Sequence, residues 1–172
     1  MNNLIRLVEG QAQIVRNDPW RLFTEEGCTD ARLILPLAQW HERQSSDVLA
    51  GEVMSRDALL VRADDDPLAL QPWLASLPLI AIDFPSFRDG RGYSQAYLLR
   101  TRLNWRGELR AVGDVLRDQL AHMRQCGFDA FVVRADKSLE DALKGLAGLS
   151  VLYGRSAIEP RPLFRRERLK GA

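Results

Sequence analysis

The chain has 172 residues, 46% of them hydrophobic and 27% charged, with a formal net charge of +1. This length accommodates one domain with a full core, and the composition is that of a soluble globular protein. The near-zero charge argues against whole-molecule attraction to nucleic acid or an acidic membrane, and no apolar stretch approaches the roughly 20 residues that span a bilayer.

The start of the chain, Met1-Asn-Asn-Leu-Ile-Arg6, lacks the basic and then apolar run of a signal peptide, so a cytoplasmic location is expected. Leu4–Val8 and Gln11–Val15 read as two short extended runs joined at Glu9-Gly10, which predicts an N-terminal hairpin. Asn17-Asp-Pro19 marks a turn, and Trp20–Phe23 is expected to pack against that hairpin. From about residue 32 apolar runs alternate with helical segments. Leu33–Leu35 leads to Leu37–Gln44, and Ala58–Val61 leads, past Asp64-Asp-Asp-Pro67, to Leu68–Leu74. Leu79–Ile82 leads to Tyr93–Leu103, Glu108–Val112 to Val115–Cys126, and Ala130–Val133 to Leu139–Leu146, before a last run at Leu149–Tyr153.

This alternation predicts an α/β fold with a mainly parallel sheet of about five βα units. It is either an open doubly wound layer or a partial barrel-like array, because a complete eight-unit barrel typically needs about 250 residues. Residues 1–154 form a single α/β domain on this reading, with 1–31 as its hairpin extension. Residues 155–172 carry six basic residues against Glu159 and Glu167 and read as a mobile tail, or as a docking arm for an acidic partner.

Local chemistry marks the later helices best. Asp114 sits where an N-cap belongs, Leu116, Leu120 and Met123 share one face, and Gly127 stops the helix. Ser138 caps the next helix, whose stripe is Leu139, Leu143 and Leu146. Cys28 and Cys126 match no disulfide or metal spacing and are too few to hold an iron–sulfur cluster. Neither is placed as a nucleophile: Cys126 ends a helix, and Cys28 lies among Glu25, Glu26 and Asp30. With only His41 and His122, both read as surface residues, no metal site and no cofactor bound by this chain alone are expected.

The segment Asp83-Phe-Pro-Ser-Phe-Arg-Asp-Gly-Arg-Gly-Tyr-Ser-Gln95 is a strand-to-helix turn, where α/β proteins bind ligands. A helix N-terminus favours phosphate, sulfate or carboxylate, so an anion site is predicted at Asp83, Arg88, Asp89, Gly90, Arg91, Gly92, Tyr93 and Ser94. Gly90 and Gly92 would let backbone approach the ligand, and Arg88 and Arg91 would give bidentate contacts. The third glycine of a dinucleotide fingerprint is absent, as is a P-loop lysine. The competing reading is an ion-paired structural loop of Asp83 and Asp89 with Arg88 and Arg91. Arg110, Asp114 and Arg117 lie at the end of the next strand, and Arg134 with Asp136 after the one that follows. If the strands are ordered sequentially, these residues complete one rim. Arg117 and Asp118 are then placed to pair with the first loop.

The segments Asp83–Ser94, Gly107–Gln119 (GELRAVGDVLRDQ) and Cys126-Gly-Phe-Asp-Ala-Phe131 closely resemble a bacterial family of unknown function. Its members are commonly labelled oxidoreductases of sulfite reduction, because their genes sit beside sulfite reductase and other sulfate-assimilation genes. The likeness runs from about Asp57 to Leu149 and brings no set of catalytic residues. It implies an accessory protein of assimilatory sulfite reduction, acting with sulfite reductase or another separate redox subunit. The residues themselves leave two other readings open: an enzyme or binding protein for a phosphorylated or sulfated small molecule at the 83–95 turn, or a structural partner that docks through its basic tail.

Overall fold

In the computed structural model, which describes residues 3–23, 32–146 and 154–166, Glu9 and Gly10 both take positive φ, 51° and 80°. That pair of conformations makes the two-residue turn whose twist matches paired strands. Strand β1 (Leu4–Val8) accordingly pairs antiparallel with β2 (Gln11–Val15), Val8 opposite Gln11, and the expected hairpin is present.

Six further strands follow: β3 (Trp20–Leu22), β4 (Arg32–Pro36), β5 (Ala58–Val61), β6 (Leu79–Phe84), β7 (Glu108–Gly113) and β8 (Ala130–Val132). They run parallel in chain order, and β1 adds antiparallel to β8, giving the sheet order β2-β1-β8-β7-β6-β5-β4-β3. A doubly wound sheet reverses its strand order at a switch point. Here the parallel order never reverses, so right-handed crossovers all fall on one face.

Chain reach then forces the sheet to curl. β2 and β3 lie at opposite edges, yet only residues 16–19 join them. The five steps from Val15 to Trp20 reach at most about 18 Å, whereas seven flat inter-strand spacings would need about 34 Å. The sheet is therefore a curled, mostly parallel half-barrel with its helices outside.

The outer layer holds α1 (Leu37–Arg43) and α2 (Ser46–Leu49) after β4, α3 (Arg91–Thr101) after β6, α4 (Leu120–Cys126) after β7 and α5 (Leu139–Leu146) after β8. A short α6 spans Leu163–Arg166. The outward face of the strands packs on this layer through Leu35, Leu59, Ile80, Ile82, Phe84 and Phe131. The inward face holds a second cluster of Trp20, Ile34, Ala58, Leu79, Ala81 and Val112, where the two alanines leave room for the curl.

Three expectations need correction. Trp20–Leu22, expected only to pack against the hairpin, is itself an edge strand parallel to β4, too short to show alternation in the sequence. The segment after β5 is a 3₁₀ run, Pro67–Ser76, instead of an α-helix. Pro72 within it has no N–H for an α-helical ladder. Asp114 does not cap the following helix, which opens with a 3₁₀ turn at Arg117–Gln119, where Gln119 Oε1 accepts the Leu116 N–H at 2.9 Å.

Other local expectations hold. Gly127 ends α4 in the left-handed region at φ 106°, and the Ser138 hydroxyl accepts the Asp141 N–H at 3.2 Å. Leu120, Met123 and Leu146 are core. In the C-terminal segment Ser156 is buried, and the Ala157 N–H donates to the Gln125 carbonyl at 2.8 Å. The run at 149–153, Cys28 and the tail beyond residue 166 lie outside the described residues. Among the described residues no helix is long and apolar enough to cross a membrane.

Candidate functional site

Along β6, alternation sends Ile82 and Phe84 outward into the core and Asp83 inward, at the carboxyl end of a central strand. Arg62, directly after β5, is exposed on the neighbouring strand end. On the other side β7 ends at Gly113, whose φ is 91°. A Cβ there would lie 2.4 Å from the Phe84 carbonyl oxygen and 2.7 Å from Asp83 Oδ1. Glycine is thus what lets the end of β7 pass beside the carboxylate. No hydrogen-bond donor among the described residues reaches the Asp83 carboxylate. Burial raises its pKa; the Arg62 guanidinium opposes that shift and the Asp89 charge adds to it.

Within the 83–95 turn the ion pairing is narrower than the sequence suggested. The Arg91 guanidinium donates to Asp89, Nη2 to Oδ2 at 2.7 Å, and also pairs with Asp64. Asp89 Oδ1 also accepts the Arg91 N–H at 3.1 Å, so the protein's own carboxylate meets the first turn of α3. Side-chain and backbone hydrogen bonds from Arg91 pull the Asp89 carboxyl down to about 2. Arg88 and Asp83 take no part in these pairs. The Arg88 guanidinium lies over the Phe87 ring, 5.4 Å from its centroid, and both side chains are exposed.

The two glycines differ. Gly90 is open: a Cβ there would lie 4.0 Å from its nearest neighbour, the Tyr93 ring. Gly92 is buried, and a Cβ would lie 2.7 Å from Phe84 Cζ, so its smallness serves packing of α3 on β6.

The sequential order of β6, β7 and β8 brings Asp114, Arg134 and Asp136 to the same rim. Asp114 Oδ2 accepts the Phe87 N–H at 2.8 Å, and its Oδ1 accepts from Arg134 Nη1 at 3.0 Å. These bonds, the Phe87 amide first, lower the Asp114 pKa. Arg134 also pairs with Asp136 at 2.9 Å. Gln119 Nε2 donates to the Phe87 carbonyl at 3.0 Å, so the Phe87–Arg88 tip is braced from below.

Two candidates lie elsewhere. Arg117 pairs with Asp141 of α5 at 3.0 Å instead of the first loop. Arg110 is not on the rim: at mid-strand in β7 it points into the half-barrel, fully buried, and donates to Asp18 at 2.7 Å and Glu108 at 2.6 Å.

Tyr93 and Ser94 line a different feature, a groove of about 530 Å³ between α3 and α4, with Tyr97, Leu98, His122 and Cys126. The Tyr93 ring stands 4.7 Å from that of His122 and 5.2 Å from that of Phe84. Burial raises the Cys126 thiol pKa, and burial likewise raises that of Tyr93. His41 packs edge-on to Trp73 at 5.5 Å. Among the described residues no group of three or more His, Cys, Asp and Glu side chains is placed to hold a metal ion.

Sequence reasoning missed Arg62 and Asp64. The signal was available for Arg62, since it follows the run Ala58–Val61 as Arg134 follows Ala130–Val133. A charge inventory of the rim then sorts the cations. Arg91 and Arg134 each hold two carboxylates. Asp65 and Asp66 accept the backbone N–H groups of Arg62 and Leu68. Arg62 and Arg88 have no carboxylate within ion-pair distance among the described residues.

A curled, mostly parallel sheet with charged loops at its carboxyl edge defines an α/β protein whose candidate ligand site is that edge. Residues 58–164, more than half of the chain, match the bacterial protein family of unknown function DUF934, and the chain belongs to that family. No curated protein and no solved structure matches it.

Proposed function

We propose that the carboxyl-edge rim binds a small oxyanion through Arg62 and Arg88, and that the protein serves assimilatory sulfite reduction as an accessory to a separate redox subunit. One observation carries the anion reading. The rim's other arginines are neutralised by carboxylates of the chain, while these two are exposed and unpaired among the described residues, on adjacent strand-end loops. An exposed guanidinium presents a planar fork of donors suited to phosphate, sulfite or sulfate oxygens. Arg88 is held ready by the Phe87 ring and by the Asp114 and Gln119 bonds to Phe87, which lowers the entropy lost on binding.

The sulfur role draws its support from the resemblance of Asp83–Ser94, Gly107–Gln119 and Cys126–Phe131 to the family labelled for sulfite reduction. Growth of a deletion strain on sulfate, sulfite or sulfide as sole sulfur source tests it. Growth on sulfide alone is the expected result. Normal growth on all three would remove the sulfur role and leave the anion site to stand by itself.

A further inference from the structure

Asp83 is an odd neighbour for an anion site. It is a carboxylate set on the inner face at the end of β6, beside the exposed Arg62, and no donor among the described residues reaches it. The groups that face it come from every adjoining element: Arg62 from the end of β5, Asp89 from its own turn, and the Gly113 backbone from β7. Nearby carboxylates are already engaged, Asp89 by Arg91 and Asp114 by Phe87 and Arg134. An ionised carboxylate has only acceptor capacity. An oxyanion without a proton would meet repulsion there, whereas one that keeps an O–H can donate to it.

From this juxtaposition we infer that the rim site selects oxyanions that retain a proton, hydrogen phosphate or the O–H form of hydrogen sulfite, and rejects sulfate. The inference rests on the anion reading above. Arg62 supplies the charge that draws the ligand in, and Asp83 supplies the acceptor that tells a protonated oxygen from a bare one. Gly113 keeps the approach open, since any side chain at that position would press on Asp83 Oδ1. The discrimination depends on Asp83 being ionised. It holds above the carboxyl's raised pKa and fades as pH falls through that value, because the protonated acid can donate to sulfate.

The test is calorimetric titration of the full chain with inorganic phosphate, sulfite and sulfate, for wild type, Asp83→Asn and Arg62→Ala. Circular dichroism and thermal melts establish that each variant is folded. Wild type is expected to bind phosphate about tenfold more tightly than sulfate, the size of one hydrogen bond to a charged group. Asp83→Asn, which can donate to a bare oxygen, should reverse or erase that preference. Arg62→Ala should weaken every anion alike. If Asp83→Asn does not fold, wild-type titrations across acid pH replace it, and sulfate binding must then rise relative to phosphate as pH falls. Equal binding of phosphate and sulfate by wild type at neutral pH overturns the selectivity while leaving the anion site intact. Absence of binding by all three anions overturns both.

Discussion

Asp18 accepts two hydrogen bonds from Arg110, at 2.7 and 3.1 Å, and neither side chain reaches solvent. The pair joins the short crossover between the two edges of the sheet to the middle of β7, 92 residues away in sequence. Glu108 also accepts from Arg110, and Arg6 pairs with Glu108 at 2.9 Å, so the hairpin is tied to the same interior cluster. The curl that chain reach demands is thus fastened by a charged strut inside it.

Removing one partner of that strut should be expensive, because the other charge stays buried. Arg110→Met is expected to destabilise the fold by about 3–5 kcal/mol, read from urea unfolding, while leaving the unfolding slope unchanged. A loss below about 1 kcal/mol would show that the interior cluster is solvated in solution.

The rim glycines should separate by cause. Gly92→Ala, with its Cβ forced onto the Phe84 ring, is expected to cost about 1–3 kcal/mol. Gly113→Ala should cost at least as much, since strain at positive φ adds to contact with backbone. Gly90→Ala should change stability by no more than about 0.5 kcal/mol. Equal effects at all three positions would contradict the packing of α3 on β6.

The Asp89–Arg91 pair gives a pH signature of defined sign. The folded carboxyl titrates near 2, below its usual 3.8, so its contribution to stability is present above 3.8 and is lost as pH falls toward 2. Carboxyl NMR titration should find Asp89 depressed in wild type and shifted upward in Arg91→Ala. An unshifted Asp89 in the variant would mean that the α3 amides, and not Arg91, hold the carboxylate.

Much of this architecture was readable from the chain. The Glu9-Gly10 turn, the apolar runs of β4 to β8, the Gly127 stop and the Ser138 cap are local signals, and each is spelled out by a few adjacent residues. What escaped notice depends on distant partners. Trp20–Leu22 becomes a strand only because β4 is there to pair with it. Arg110 reads as a rim residue until alternation along β7 turns it inward to meet Asp18. Arg91 looks available until Asp64, 27 residues earlier, is brought beside it. The candidate rim was legible as a place, since charged residues follow several strand runs. Which of its arginines stay free was not, because that is decided by pairings across loops.

Arg62 and Arg88 are the two arginines proposed to form the oxyanion site. Calorimetric titration with phosphate and sulfite, comparing wild type with Arg62→Ala, Arg88→Ala and Arg134→Ala, tests it most directly. The first two variants are each expected to weaken binding about tenfold, while Arg134→Ala, which removes an arginine already committed to Asp114 and Asp136, is expected to change it by less than about threefold. Equal affinity in wild type and all three variants, or no binding by wild type, would contradict the proposed site.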